Sequence, residues 1–131
     1  MLETLFCYKL DFVFIFSGGN SYAFFEYENV VIRAIEYMRK NLSSKITIEA
    51  IAKNFHVSIA TLGRYFKAVV NKTPMQYLQT LRIDKAKDLL SLTDESIVNI
   101  SLDCGFFDSS HFEKSFLKSV GISPGKYKNE V

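Results

Sequence analysis

The sequence predicts an all-α fold in which one two-helix unit is used twice, with a long helix between the copies and a short aromatic-rich β-hairpin in front. Three observations carry that expectation. The stretch HVSIATLGRYFKAVVNKTPMQY, from His56 to Tyr77, returns in pattern as GFFDSSHFEKSFLKSVGISPGKY, from Gly105 to Tyr127. From Val30 onward the apolar residues fall at three- and four-residue steps, the period of a helix with one buried face. Composition and charge both change near Asn29.

A chain of 131 residues is long enough to bury a core. With 48% apolar and 23% charged residues it has the balance of a folded soluble protein, not of a disordered one. Its net charge of +2 points to no partner by itself. Residues 1–29, however, set Lys9 against Glu3, Asp11, Glu26 and Glu28, a net of −3, whereas residues 30–131 hold 15 basic and 10 acidic residues, a net of +5. The positive charge thus belongs to the part that carries the repeat. Cys7 and Cys104 have no metal-ligand spacing and read as reduced thiols of a cytoplasmic protein.

The first element spans residues 1–29 and holds nine of the 19 Phe and Tyr residues. LFCYKLDFVFIF, SGGN and SYAFFEY read as strand, Gly-Gly turn and strand. Glu3, Lys9 and Asp11 argue against a signal peptide, and the apolar run is too short to span a bilayer, so no membrane role is expected. Two strands alone are marginal. The aromatic face of Phe6, Tyr8, Phe12, Phe14 and Phe16 is therefore expected to pack on the rest of the chain, to form a homodimer contact, or to be the remnant of a lost regulatory domain.

Residues 30–131 supply the helices. Val31, Ala34, Ile35, Met38 and Leu42 mark a first amphipathic helix ending near Ser43 and Ser44. Thr47 then caps a short helix with Ile48, Ile51, Ala52 and Phe55 inside, and Ser96 caps its counterpart with Ile97, Ile100, Ser101 and Cys104 inside. His56 and Gly105 occupy the tight turns that follow, where a positive φ suits glycine and costs histidine something. Ser58 caps the next helix, with Leu62, Phe66 and Val69 on its inner side. The second copy begins near Asp108 and carries Phe112, Phe116 and Val120, displaced by one residue more than the helices before it. Thr73-Pro74 and Ser123-Pro124 each place a cap before a proline at the first helical position. Matches in this order signal duplication.

A short helix, a tight turn and a second helix with a polar outer face make a helix-turn-helix, here over about 47–70 and about 96–120. The second helix of such a unit fits a B-DNA major groove. The segment between them, about 73–91, reads as one linker helix of roughly 27 Å at about 1.5 Å per residue, near the ~34 Å spacing of successive major grooves. Its apolar arc of Leu78, Ile83, Ala86, Leu89 and Leu90 includes Arg82. That residue is expected as a buried or half-buried guanidinium paired with a carboxylate or backbone carbonyls, with a phosphate contact as the alternative.

Residues 30–129 resemble the DNA-binding domain of AraC/XylS-family transcription regulators. The resemblance covers about three quarters of the chain, and its most specific part runs from Ile97 through Cys104-Gly105-Phe106, Phe112, Phe116, Gly121, Ser123-Pro124 and Tyr127. LRIDKAKDLL is similar to the family's linker helix. The resemblance implies a seven-helix bundle of two helix-turn-helix subdomains joined by a long linker helix, in a cytoplasmic, bacterial-type regulator that binds double-stranded DNA specifically and without a cofactor. It further implies activation, with RNA polymerase as a partner. Carried over by motif position, the first recognition helix would present Ile59, Ala60, Gly63 and Arg64 to the bases, with Lys67 near the backbone. The second would present Ser109, Ser110, His111, Glu113 and Lys114, with Lys118 on a phosphate. Thr47, Ser58 and Ser96 would place helix N-termini for phosphate contacts.

Physical chemistry weights these unequally. Arg64 suits a bidentate contact to guanine, and Lys114, in the matching slot, offers a point charge. Glu113 could accept from cytosine or pair with a nearby lysine. Gly63 removes a side chain from a base-reading slot, so the first unit rests largely on Arg64 and on DNA shape. Phe107 stands where the family has a small polar residue, which leaves the cap of the second recognition helix in question. Cys104 reads as a core filler and His111 as a DNA contact, not a catalyst. No catalytic constellation or metal-ligand pattern occurs in the sequence, so an enzyme is not expected. The competing reading is a helical protein-interaction module, or a truncated regulator, that no longer binds DNA specifically; weak binding with little salt dependence would mark it.

Overall fold

The computed structural model describes residues 21–130, with side chains from Phe25 onward. Among them are seven helices and no strand: α1 (Ser21–Lys40), α2 (Ile48–Asn54), α3 (Ile59–Val70), α4 (Pro74–Leu92), α5 (Ile97–Asp103), α6 (Ser109–Val120) and α7 (Pro124–Glu130). They group into two compact units, whose described parts are residues 21–37 with 47–76, and residues 38–46 with 77–130.

The expected hairpin requires a correction. Its first strand and Gly-Gly turn lie outside the described residues, as does the aromatic face from Phe6 to Phe16. Its second strand, SYAFFEY, is helical, because α1 starts at Ser21. Aromatic content favours strands only where the context offers a pleated surface. Here Tyr27 falls in helical step with the fully buried Val31, Ala34, Ile35 and Met38, and the same face takes in Glu28. Tyr27 stacks on Tyr65 with ring centroids 4.2 Å apart, and Arg33 lies 5.4 Å from the Phe55 ring centre. Those contacts tie α1 to the helices of the first unit. Burial pushes the Glu28 carboxyl above its usual range.

In the first unit Val31, Ala34 and Ile35 of α1, Ile51 and Ala52 of α2, and Leu62, Phe66 and Val69 of α3 are buried. In the second, Ile83, Ala86 and Leu90 of α4 enclose a core with Ile100, Cys104, Phe106, Phe112 and Phe116. Its rings meet edge to face or tilted, Phe106 on Phe112 at 5.1 Å, Phe112 on Phe116 at 5.7 Å and Phe116 on Tyr127 at 5.4 Å. Ser101 occupies the slot of Ala52 and is fully buried; its hydroxyl donates to the Val98 carbonyl at 2.7 Å, so no polar group is stranded there.

Side chains start the helices as their sequence suggests. Thr73 Oγ1 accepts from the Gln76 N–H at 3.1 Å while Gln76 Oε1 accepts from the Thr73 N–H at 2.9 Å, a reciprocal capping box ahead of Pro74. Ser123 Oγ accepts from the Lys126 N–H at 3.2 Å at the head of α7. Asn71 and Gly121 end α3 and α6 in the left-handed conformation.

Candidate nucleic-acid interface

Each unit presents one 12-residue helix behind a shorter, seven-residue one. In the first, Thr47 Oγ1 accepts from the Ala50 N–H at 3.1 Å and starts α2. The turn is closed by His56 N–H on the Lys53 carbonyl and Val57 N–H on the Ala52 carbonyl. His56 takes φ +57° there, as its position in the repeat requires. In the second, Ser96 Oγ accepts from the Asn99 N–H at 3.1 Å, and Gly105 and Phe106 close the turn on Leu102 and Ser101. Gly105 has φ +88°, and a Cβ at that position would collide with the Leu42 carbonyl oxygen. Glycine is obligatory here on two counts.

Ser58 caps α3 by accepting from the Thr61 N–H at 3.0 Å. Its hydroxyl also donates to Thr61 Oγ1 at 2.8 Å, and Arg64 Nη2 donates to the same oxygen at 3.2 Å. Ser58, Thr61 and Arg64 thus form a chain along one exposed face that holds the guanidinium in place. Thr61 was not among the sequence candidates; the Ser-x-x-Thr-x-x-Arg spacing, one side chain per turn, is the signal that would have found it. Leu62, Phe66 and Val69 turn inward, while Ala60, Arg64 and Lys67 are exposed and Ile59 is half exposed. A Cβ at Gly63 would meet nothing within 4 Å, so this helix face has an open notch.

The cap of α6 is Asp108. Its Oδ1 accepts from the His111 N–H at 2.7 Å, so the cap falls one residue after Phe107, the helix starts at Ser109, and the question raised by that phenylalanine disappears. The extra residue in this turn accounts for the displacement between the two copies. Ser110, His111, Glu113, Lys114 and Lys118 are exposed and Ser109 is half-buried. The His111 ring also meets the edge of Phe106 at 5.6 Å. Glu113 makes no ion pair among the described residues, and neither do Arg64, Lys67, Lys114 or Lys118. The four cations face solvent unneutralised, as binding to a polyanion requires.

Arg82 is buried as expected, at 8% exposure, but it has neither the carboxylate nor the carbonyl partner foreseen for it among the described residues. Its Nε is sealed from solvent with no acceptor. Burial accordingly holds the guanidinium below its ordinary pKa.

A repeated pair of short helix, glycine-type turn and capped helix with a cationic outer face defines a double helix-turn-helix protein. Comparison with known proteins agrees. The family model described as "Helix-turn-helix domain" matches residues 51–130. The HTH-type transcriptional activator RhaS of Escherichia fergusonii is 39% identical over 90 residues, which cover 69% of this chain and 32% of RhaS. The C-terminal domain of AraT, a response regulator from Geobacillus stearothermophilus, superposes with a TM-score of 0.75 at 30% identity, covering 78% of this chain and 85% of that domain. The DNA-binding domain of AdpA, solved in complex with a target DNA, gives a TM-score of 0.73 at 25% identity over 76% of this chain and 89% of its own. The chain belongs to the AraC family of helix-turn-helix DNA-binding domains. It spans about a third of the length of the curated relatives it matches. No helix among the described residues is long and apolar enough to cross a membrane.

Proposed function

We propose that this chain is a sequence-specific, double-stranded-DNA-binding transcription regulator, with α3 and α6 each reading a major groove. The observation that carries the reading is the equivalence of Arg64 and Lys114, 50 positions apart on matching exposed faces of two capped helices of equal length. Arg64, fixed by Thr61, reads guanine through its fork, and Lys114 serves guanine or phosphate. Ser109, Ser110, His111 and Glu113 read further bases on the second side. Ile59 and Ala60 offer apolar contact to thymine methyl groups on the first, across the notch at Gly63. Lys67 and Lys118 engage phosphates, and the N-termini capped by Thr47, Ser58 and Ser96 add backbone amides. Activation is the favoured outcome, as the name of the transcriptional activator RhaS describes for that protein, and RNA polymerase is the partner it implies. The setting is the cytoplasm, and no step in this reading is catalytic.

Selection of bound sequences from a random duplex pool, at two salt concentrations with the full chain, tests the reading. Two enriched motifs about one helical turn apart are expected. Arg64→Ala and Lys114→Ala should each weaken binding to the selected site by about 1–3 kcal/mol and relax preference at one position. No enrichment, together with binding insensitive to salt, would leave the protein-interaction reading in its place.

A further inference from the structure

A cavity of ≈ 490 Å³ opens within the second unit, lined among others by Lys45, Ile46, Arg82, Phe106, Phe107 and His111. Its volume falls in the ~300–1,000 Å³ range of small-molecule sites. Three features make it more than a surface dent. The first is Arg82, which lines the cavity at 8% exposure and has no carboxylate pairing with it among the described residues. A guanidinium so placed is costly until an anion meets it. The second is Gly105, whose missing side chain lets the guanidinium lie against bare backbone; Arg82 Nε is 3.0 Å from where a Cβ would stand. The third is the wall. Phe107 is 76% exposed, with Lys45 Nζ 5.2 Å from its ring centre, and Phe106 and Ile46 add apolar surface.

We propose that this cavity binds a small organic carboxylate with a flat apolar body, the carboxylate answered by Arg82 and Lys45 and the body seated against Ile46, Phe106 and Phe107. The pairing follows from shape and charge together. Arginine forks match carboxylates bidentately, and aromatic walls reward a planar apolar group, which inorganic phosphate or a DNA backbone phosphate lacks. His111 closes one side of the cavity and belongs to the proposed base-reading set, so an occupant would touch the DNA-facing helix. That consequence rests on the reading above, whereas the binding itself does not.

Benzoate is the probe, with inorganic phosphate and sodium chloride at matched ionic strength as the other arms, titrated into the isotope-labelled full chain and followed by backbone amide NMR. Benzoate should give saturable shifts at Gly105, Phe107 and His111, and phosphate should bind at least about tenfold more weakly. Arg82→Lys should weaken benzoate about tenfold by removing the fork. Lys45→Ala, at an exposed loop position, should weaken it about threefold and decides the matter where the Arg82 variant does not fold. The proposal is overturned by benzoate shifts no larger than those of the chloride arm, by equal binding of phosphate and benzoate, or by benzoate affinity untouched in the folded variants.

Discussion

Gly105 and His56 stand at the same place in the two units and answer the same backbone demand differently. Both have positive φ, +88° and +57°. Gly105 also lies where any Cβ would strike the Leu42 carbonyl. Gly105→Ala therefore adds a steric clash to a strained dihedral, and thermal or denaturant unfolding should register a loss of about 3 kcal/mol. His56→Gly relieves a left-handed conformation costing about 1–2 kcal/mol, less the extra chain entropy of glycine, and should stabilise by about 0.5–1 kcal/mol. A Gly105→Ala protein as stable as wild type would show that the turn can move. Cys104 offers a second residue-scale check. It is fully buried, and burial pushes its thiol up to about 11, so the reactive thiolate is scarce at neutral pH. In a Cys7→Ser background, a thiol-disulfide reagent at pH 8 should label Cys104 only as fast as the protein opens, and denaturant should accelerate it; rapid labelling of the native chain would contradict the burial.

At the scale of elements, α6 depends on a cap that the sequence hides behind Phe107. Asp108 Oδ1 accepts from the His111 N–H, and its charge also sits favourably at the helix N-terminus. Asp108→Ala should cost about 1 kcal/mol, and Asp108→Ser should keep most of it; equal melting temperatures for wild type and Asp108→Ala would remove the cap from the account. The element boundaries show what a sequence can convey. Thr47, Ser58, Ser96 and the threonine or serine before each proline act through bonds three residues away, so their role is legible in the chain itself. The inner faces of α3 and α6 were equally legible, because burial at Leu62, Phe66, Phe112 and Phe116 follows helical period. The start of α1 was not. Nothing local in SYAFFEY outweighs its aromatic bias toward strand, and only packing such as Tyr27 on Tyr65 favours the helix. Arg82 was half legible, since its place on the wheel announced burial while its want of a counter-ion depends on what other segments bring near it. The outer faces of α3 and α6 came from position in the repeat, but the Ser58–Thr61–Arg64 chain needed side-chain geometry.

For the molecule as a whole, the proposed duplication of DNA-reading units has a thermodynamic signature that no single unit can mimic. If α3 and α6 grip the same duplex, the losses from Arg64→Ala and Lys114→Ala both enter one binding constant. The two side chains belong to different compact units and share no partner among the described residues. Their effects should then add to within about 0.5 kcal/mol in the double variant, measured against the selected site. A chain that binds through one unit alone would give one silent variant and a double variant no weaker than the other. Lys118→Ala separates charge from sequence reading in the same assay. Loss of one phosphate contact should lower affinity alike for selected and random duplexes and reduce the slope of log K against log salt by about 1. Arg64→Ala should instead compress the ratio between selected and random duplexes. The net of +5 over residues 30–131 supplies the general attraction, and the residues of α3 and α6 turn it into choice. Were Lys118→Ala to change sequence preference while leaving the salt slope intact, the division between backbone and base contacts on α6 would have to be reversed.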